Sequence, residues 1–460
     1  MTLERGFRIN AEPPDAPRTL QIAARAEKPS KRVAFLVSHG MGQQVPFETL
    51  SVLGQSLLTE HARRRKKTAA QAPASGPPVP TVKRVVLIGD PAASPLSRVE
   101  LDFPQHDGGH TEAHLYESYW APLTEGQITF RETFAFLYQA GWNGIKTGVM
   151  GYWRLLLGEG ASDFKGHNTF DRWMFGKFHP MRIKPGTLFF LLVLVLLAAV
   201  VAVGVAIAGV KMRDIVNTLR TTAFDWNHIH WPASATLELI GELVVLWMIA
   251  WFVRYFLVEF VGDVAIYVSS YKVSKFHDVR DRIQATTLAV AKAIYCARQT
   301  SDANSMPEYD QVVMVGHSLG SVIAYDTLNA MINYDEIERN GALDVSHRTT
   351  RLITFGSPLD KTAYLFRTQV NSGRDLREAL AAIQQPLILS DRYRTPPFQW
   401  INIYSHMDIV SGRLKYYDNP ERPKDEHVDN MIDPKAWVPI FAHTQYWENP
   451  LLHEVLYNSI

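Results

Sequence analysis

The chain has 460 residues, 47% of them hydrophobic, and a formal net charge of +1. It is therefore long enough for one large domain with additions or for two domains. The near-zero charge, without clustered basic and aromatic residues, gives no reason to expect a nucleic-acid partner. The single cysteine, Cys296, excludes an internal disulfide framework, and its place in a helix-like run predicts a core residue.

The first 30 residues are polar and contain prolines but no apolar core, so we expect a flexible lead and no cleavable secretory signal. Residues 32 to 38 are mostly apolar and predict a buried strand. The strand runs into a loop whose two glycines can turn backbone N–H groups toward an open space: His39, Gly40, Met41 and Gly42. Taken alone, this loop is either a binding loop or an ordinary strand-to-helix turn.

A helix predicted from Pro46 to His61 ends in five basic residues at positions 63 to 67. Such a run is either a solvated helix end or a contact for anionic lipid headgroups. Small residues and prolines from 69 to 80 predict a linker. Three strand-like runs follow, at 84–88, 99–103 and 113–120.

Three histidines, His106, His110 and His114, are spaced four residues apart. This spacing suits a metal ion only if the stretch is helical. The glycine pair at 108 and 109 indicates a turn instead. We therefore predict a polar hairpin and no metal site.

Residues 126 to 157 combine helix-like spacing with many aromatic residues and glycines. This composition suits an interfacial helix beside a membrane, and it suits a cap over an active site equally well. The sequence leaves both interpretations open.

The stretch from Leu188 to Val210 has 23 residues without a charged side chain. As a helix it is about 34 Å long, enough to cross a bilayer core of about 30 Å, so it predicts a membrane span. A second apolar stretch, residues 237 to 258, carries Glu238, Glu242 and Arg254. Charges are costly near the bilayer centre, so hydropathy alone does not decide this second span.

The segment from 311 to 330 has the strongest pattern in the chain. A short apolar and β-branched run predicts a buried strand, and apolar residues at helical spacing predict a helix after it. Between them stands a G-x-S-x-G motif with the nucleophile candidate Ser318 at its centre: Gly316, His317, Ser318, Leu319 and Gly320. Strand, motif and helix together form the sharp turn that raises a serine hydroxyl clear of a sheet.

This segment resembles the α/β-hydrolase superfamily, in its lipase and esterase branch. The resemblance covers residues 31–44 and 310–445. It implies that the loop after the first strand supplies half of an oxyanion hole, with the backbone N–H groups of Met41 and Leu319 as donors. His317 is then expected to be a packing residue beside the nucleophile.

The resemblance also implies an acid that follows a strand after the motif. A predicted strand from 400 to 404 precedes Ser-His-Met-Asp-Ile-Val-Ser, which places Asp408 there. The segment is similar to the Asp-Pro-Val-Ser version of lipase-like hydrolases, with Ile409 in place of proline. Asp360, after the strand from 351 to 355, is the alternative acid.

The base is expected last, in the order serine, acid, histidine. Three histidines follow Asp408: His427 in a charged stretch, His443 after an apolar run, and His453 in a terminal helix-like segment. His443 begins a His-x-x-Tyr-Trp sequence that resembles the ending of some bacterial lipase-like proteins. We therefore expect His443 to be the base.

The resemblance requires the loop at Gly40 and the motif at Ser318 to lie on one sheet, so the chain between them must cross a membrane an even number of times. We expect residues 186–258 to form a two-helix transmembrane hairpin within an α/β-hydrolase domain, whose two parts are residues 31–185 and 259–460. Basic residues beside the spans favour an inner or plasma membrane protein with both termini in the cytoplasm.

The resemblance implies a membrane-anchored serine hydrolase, a lipase or esterase that cleaves acyl esters and needs no cofactor or metal. Its expected partners are a lipid or other acyl-ester substrate and the bilayer itself. Two alternatives remain. One is a thioesterase or lipid deacylase, and the other is a membrane scaffold on a catalytically inactive hydrolase fold.

Overall fold

A computed structural model describes twelve stretches of the chain and isolated positions between 132 and 267. The stretches are 31–41, 45–71, 79–86, 98–104, 109–127, 129, 274–299, 306–362, 398–408, 410–414, 428–438 and 441–460. The predicted flexible lead lies outside the described residues, as do Gly42, His106, Ile409 and His427.

One sheet of eight strands forms the centre of the described structure, in the spatial order β2-β3-β4-β1-β5-β6-β7-β8. The strands are β1 Lys31–Ser38, β2 Thr81–Val86, β3 Arg98–Pro104, β4 His110–Ser118, β5 Gln311–His317, β6 Thr349–Phe355, β7 Gln399–Tyr404 and β8 Asp429–Ile432. Neighbours from β4 to β8 are parallel, whereas the β2–β3 and β3–β4 pairs are antiparallel. The predicted α/β class with a mostly parallel sheet is confirmed.

Helices cover both faces of this sheet. They are α1 Glu48–Gln71, α2 Ser274–Cys296, α3 Leu319–Glu338, α4 Val345–Arg348, α5 Ala442–Gln445 and α6 Pro450–Tyr457, with 3₁₀ helices at Ala121–Leu123 and Tyr446–Glu448. Strand β1 shows why two layers are needed. Ala34 and Leu36 face the core that includes α2 and α3, whereas Val33, Phe35 and Val37 face the core that includes α1 and α6. Both faces of a central parallel strand are buried, which explains its unbroken apolar sequence.

Helix α1 is longer than predicted, because it continues through the basic run and the first residues of the expected linker. The Glu60 carboxylate is buried and accepts hydrogen bonds from Arg63 Nε at 2.5 Å and Arg64 Nε at 2.7 Å. Arg64 also donates to Asn458, just after α6, at 2.5 Å. Two of the basic residues therefore stabilise the helix and its packing rather than standing free for a lipid surface.

One other local prediction was wrong, and one is confirmed in part. Cys296 is exposed, because it is the last residue of α2 and not part of its buried face. The strand expected at 84–88 is confirmed over 84–86 and begins earlier, at Thr81, where it pairs with β3; residues 87 and 88 lie outside the described part of the chain.

No helix in the described part of the chain is both long and apolar enough to cross a membrane. Most of the predicted hairpin, residues 186–258, lies outside that part, as does most of the aromatic segment 126–157. Within the first predicted span, seven positions are described and all are helical; four of them expose large apolar side chains by 49 to 64%: Leu192, Leu196, Val203 and Val210.

Candidate active site

The predicted site residues lie at the carboxyl edge of the sheet, where β1 and β5 stand side by side. Ser38 and Gly316, near the ends of these parallel strands, are register partners. Strand β1 has β4 on its other side, so the connections that leave β1 and β5 run in opposite directions along the sheet. A crevice forms at such a reversal in open α/β sheets, and ligands bind there.

The turn at Ser318 has the strained backbone that its motif predicts. Ser318 has φ 54° and ψ −128°, a conformation that non-glycine residues rarely adopt. A Cβ on Gly316 would lie 2.4 Å from Ser321 Cα, and one on Gly320 would lie 2.2 Å from the carbonyl oxygens of Ser38 and His39. A side chain at Gly316 would therefore push the start of α3 away from β5, and one at Gly320 would push it away from the end of β1.

Ser318, His443 and Asp408 form a continuous hydrogen-bonded chain. His443 Nε2 is 2.8 Å from Ser318 Oγ, and His443 Nδ1 is 2.9 Å from Asp408 Oδ2. A carboxylate only accepts hydrogen bonds, so Nδ1 carries the proton and Nε2 is left to accept the serine proton. The structure thus brings together three residues that are distant in sequence, in the geometry of a nucleophile, a base and an orienting acid.

Asp408 is buried but remains ionised. Burial by itself would raise the pKa of this carboxyl group, but the hydrogen bond and charge of His443, together with the Val410 N–H, outweigh it and hold the pKa well below its usual range. The Val410 N–H donates to Oδ1 at 2.8 Å. The carboxylate is therefore available to stabilise a positive charge on His443.

Asp360, the alternative acid, lies on a short helical turn directly after β6 and is buried. The acceptor of the His443 Nδ1 proton is Asp408. Of the remaining candidates for the base, His453 has Nε2 2.8 Å from the carbonyl oxygen of Trp447 and packs in α6. The candidate base that lies within hydrogen-bond distance of Ser318 is His443.

His317 supports the backbone of His443 in addition to packing beside Ser318. Its Nε2–H donates to the backbone carbonyl of His443 at 3.0 Å, and its ring stacks on Phe355 with centroids 4.9 Å apart. Burial, followed by the nearby His443, lowers the pKa of His317 to about 3. It is therefore a neutral donor that holds the backbone of the base.

The loop after β1 lies against the nucleophile. A Cβ on Gly40 would be 2.8 Å from His317 Nδ1 and 3.1 Å from Ser318 Cβ, so the backbone here approaches the serine closely. Leu319 is the first residue of α3, and the first N–H groups of a helix have no acceptor within the helix. Met41 packs partly buried against the core that contains α3.

His39 fixes the shape of this loop. Its Nδ1–H donates to the carbonyl of Gly40 at 2.9 Å, while Nε2 accepts the backbone N–H of Trp120 at 3.2 Å. Its ring stacks on the Trp120 indole with centroids 4.5 Å apart. Burial lowers the pKa of His39 to about 4, although the bond to Gly40 acts in the opposite direction.

Sequence reasoning missed two side chains near the acid, Tyr446 and Lys361. The Tyr446 hydroxyl donates to Asp408 Oδ2 at 3.0 Å. Its signal was present in the His-x-x-Tyr spacing, which places residues 443 and 446 on one side of a helical turn. Lys361 had no comparable signal, because a lysine after a strand is usually a surface residue.

Among the described residues, no group of three or more metal-ligating side chains could hold a metal ion. His110 and His114 lie on strand β4, as the hairpin interpretation expected, and His114 Nδ1 is 2.8 Å from the Tyr309 hydroxyl.

Comparison of the chain with models of protein families, with curated proteins and with solved structures finds no match.

Proposed function

We propose that this protein is a serine hydrolase of the α/β-hydrolase type that cleaves acyl esters. The observation that carries the proposal is the hydrogen-bonded chain from Ser318 Oγ through both nitrogens of His443 to Asp408 Oδ2. The strained turn at Ser318 and the parallel sheet beneath it support the same conclusion. Such a chain is the arrangement that activates a serine hydroxyl for attack on a carbonyl carbon.

In the proposed mechanism, Ser318 Oγ attacks the acyl carbonyl while its proton passes to His443 Nε2. Asp408 stabilises the resulting imidazolium through the Nδ1–H bond. The oxyanion is held by the backbone N–H groups of Leu319 and Met41. His443 then returns its proton to the leaving alcohol, and it activates a water molecule that releases the acyl group from Ser318.

We further propose that the substrate is a lipid or another ester with an apolar acyl chain, presented at a membrane. The support is the 23-residue apolar stretch from Leu188 to Val210. Four helical positions in it expose large apolar side chains, which water does not favour. A two-helix anchor would keep β1 and β5 on the same side of the bilayer, as their pairing in one sheet requires.

Labelling of the purified full chain by a fluorophosphonate probe tests the hydrolase proposal. Wild type should be labelled, and Ser318→Ala should not, because the probe reacts only with an activated serine. Ser346→Ala is the matched control. Ser346 lies in α4, just before the amino end of β6, whereas the site lies at the carboxyl ends of the strands. Absence of labelling in folded wild type would favour an inactive scaffold.

A second measurement identifies the acyl donor. Wild type and Ser318→Ala would be compared on bilayer lipid, on a soluble short-chain ester and on an acyl thioester. Hydrolysis of the thioester alone would contradict the ester proposal and favour a thioesterase.

A further inference from the structure

One oxygen of the Asp408 carboxylate accepts hydrogen bonds from two donors. Oδ2 accepts His443 Nδ1–H at 2.9 Å and also the Tyr446 hydroxyl at 3.0 Å. His443 and Tyr446 are three residues apart, in α5 and the 3₁₀ helix that follows it. The base and a phenol therefore approach the same oxygen from one continuous helical segment.

Tyr446 is oriented by a further hydroxyl. Its ring is fully buried, and its oxygen is 3.0 Å from Ser411 Oγ. Because an ionised carboxylate cannot donate, the Tyr446 proton points at Asp408 and the Ser411 proton points at Tyr446. Burial, followed by the charge on Asp408, raises the pKa of Tyr446 far above the neutral range, so the phenol stays protonated.

Lys361 binds the backbone of the loop that carries Asp408, residues 408–411. Its ammonium group donates to the carbonyl oxygens of Val410 and Ser411, at 2.8 and 2.7 Å. Lys361 is itself buried, on the turn after β6. Burial lowers its pKa to about 8, and attraction to Asp408 limits that decrease, so it is mostly charged at pH 7.

Four titratable groups face the Asp408 carboxylate from the surrounding elements: His443, His317, Tyr446 and Lys361. His317 and Tyr446 are neutral near pH 7, for the reasons given above. Near neutral pH, Tyr446 is therefore a neutral donor to Asp408, and Lys361 supplies a positive charge close to it.

We propose that Tyr446 and Lys361 are positioning residues that hold the Asp408 carboxylate against His443 and set how strongly it stabilises a positive charge there. This inference rests on the proposed serine hydrolase function. A carboxylate that shares its charge with a phenol and a nearby ammonium stabilises an imidazolium less strongly.

The test measures the rate of fluorophosphonate labelling of the full chain from pH 5 to 9, which needs no knowledge of the natural substrate. Tyr446→Phe keeps the buried ring and removes only the donor. We expect the acidic limb of its profile to move to higher pH by about half a unit or more. Lys361→Met should move the limb in the same direction, since it removes a positive charge near Asp408.

Tyr295→Phe is the matched control. Tyr295 is buried like Tyr446, and its hydroxyl is bonded to Thr349 Oγ1 at 2.6 Å, at the amino end of β6. This variant should titrate as wild type does. Thermal unfolding of every variant separates a change in the site from a loss of the fold, and if one variant fails to fold the other decides by the same criterion.

Two outcomes overturn the inference, and they are distinguishable. If wild type is labelled but the folded variants keep its acidic limb, Tyr446 and Lys361 do not tune the action of Asp408 on His443, and the proposed function stands. If folded wild type is not labelled at any pH, the proposed function fails, and this inference fails with it.

Discussion

The two halves of the candidate site are built by different physical means. The nucleophile half, residues 39–41 and 316–320, is held by close approach of backbone and by neutral buried histidines. The acid–base half, residues 408–411 and 441–446, is held by side-chain hydrogen bonds around a buried charge. The first should therefore be sensitive to added volume, and the second to changes in charge and proton donors.

Loss of charge in the acid–base half should have the largest effect. Asp408→Asn should lower the labelling rate and turnover by about 10⁴-fold, because an amide favours the wrong tautomer of His443. The measurement is the pseudo-first-order labelling rate of the folded variant. Asp360→Asn is a matched control, since it changes a second buried aspartate that follows a neighbouring strand. A larger loss in Asp360→Asn than in Asp408→Asn would show that Asp360 is the acid.

Added volume should damage the nucleophile half alone. Gly320→Ala places a Cβ 2.2 Å from the backbone carbonyl oxygens of Ser38 and His39, so the start of α3 must move away from the end of β1. We expect the free energy of unfolding to fall by more than about 3 kcal/mol. Gly412→Ala, next to the acid loop, meets no atom within 4 Å and should change stability little. Urea unfolding measures both, and equal effects would contradict the difference between the two halves.

The neutral histidines should make the nucleophile half sensitive to acid. Unfolded histidines bind protons near pH 6.5, but folded His39 and His317 do so only near pH 4 and 3. Protons therefore favour the unfolded state, and stability should decrease as the pH falls from 6.5 toward 4, by about 3 kcal/mol for each histidine.

Urea unfolding between pH 8 and pH 4 measures this decrease. His317→Gln should reduce the dependence on pH, whereas His347→Gln, which changes an exposed histidine, should not. An unchanged slope in His317→Gln would show that His317 is not held neutral by the fold.

The smallest expected effect concerns the loop after β1. In Gly40→Ala, the new Cβ would lie 2.8 Å from the His317 ring, which can yield more easily than backbone can. The loop must still move away from Ser318, so we expect about 100-fold slower turnover, comparable to the loss of one oxyanion donor. Kinetics on a soluble ester would measure this, and near-normal turnover would show that the loop is only a turn.

The nucleophile half was predictable because its determinants are local. The strand, the glycines and the helix around Ser318 are consecutive in sequence, and all three were found where expected. The parallel sheet follows from the same pattern of short apolar runs. The catalytic roles of these residues remain predictions.

The acid–base half was less predictable because it depends on contacts between distant segments. Asp408 and His443 were predicted from an expected chain order, whereas Lys361 reaches a loop that lies 49 positions further along the chain. The extent of α1 was missed for a similar reason: the fate of its basic run depends on Glu60 and on Asn458, almost 400 residues away. No local pattern contains such information.

The pairing of β1 with β5 also affects how the protein is made. Strand β4 lies close to β1 in sequence, but roughly 190 residues separate Ser118, where β4 ends, from the start of β5. At a synthesis rate of about 5–20 residues per second, that interval lasts roughly 10–40 s. During this interval, the edge of β1 that pairs with β5 in the folded protein lacks that partner strand. Until the segment that contains Ser318 has been synthesised, this edge of β1 is open to incorrect pairing with other strands.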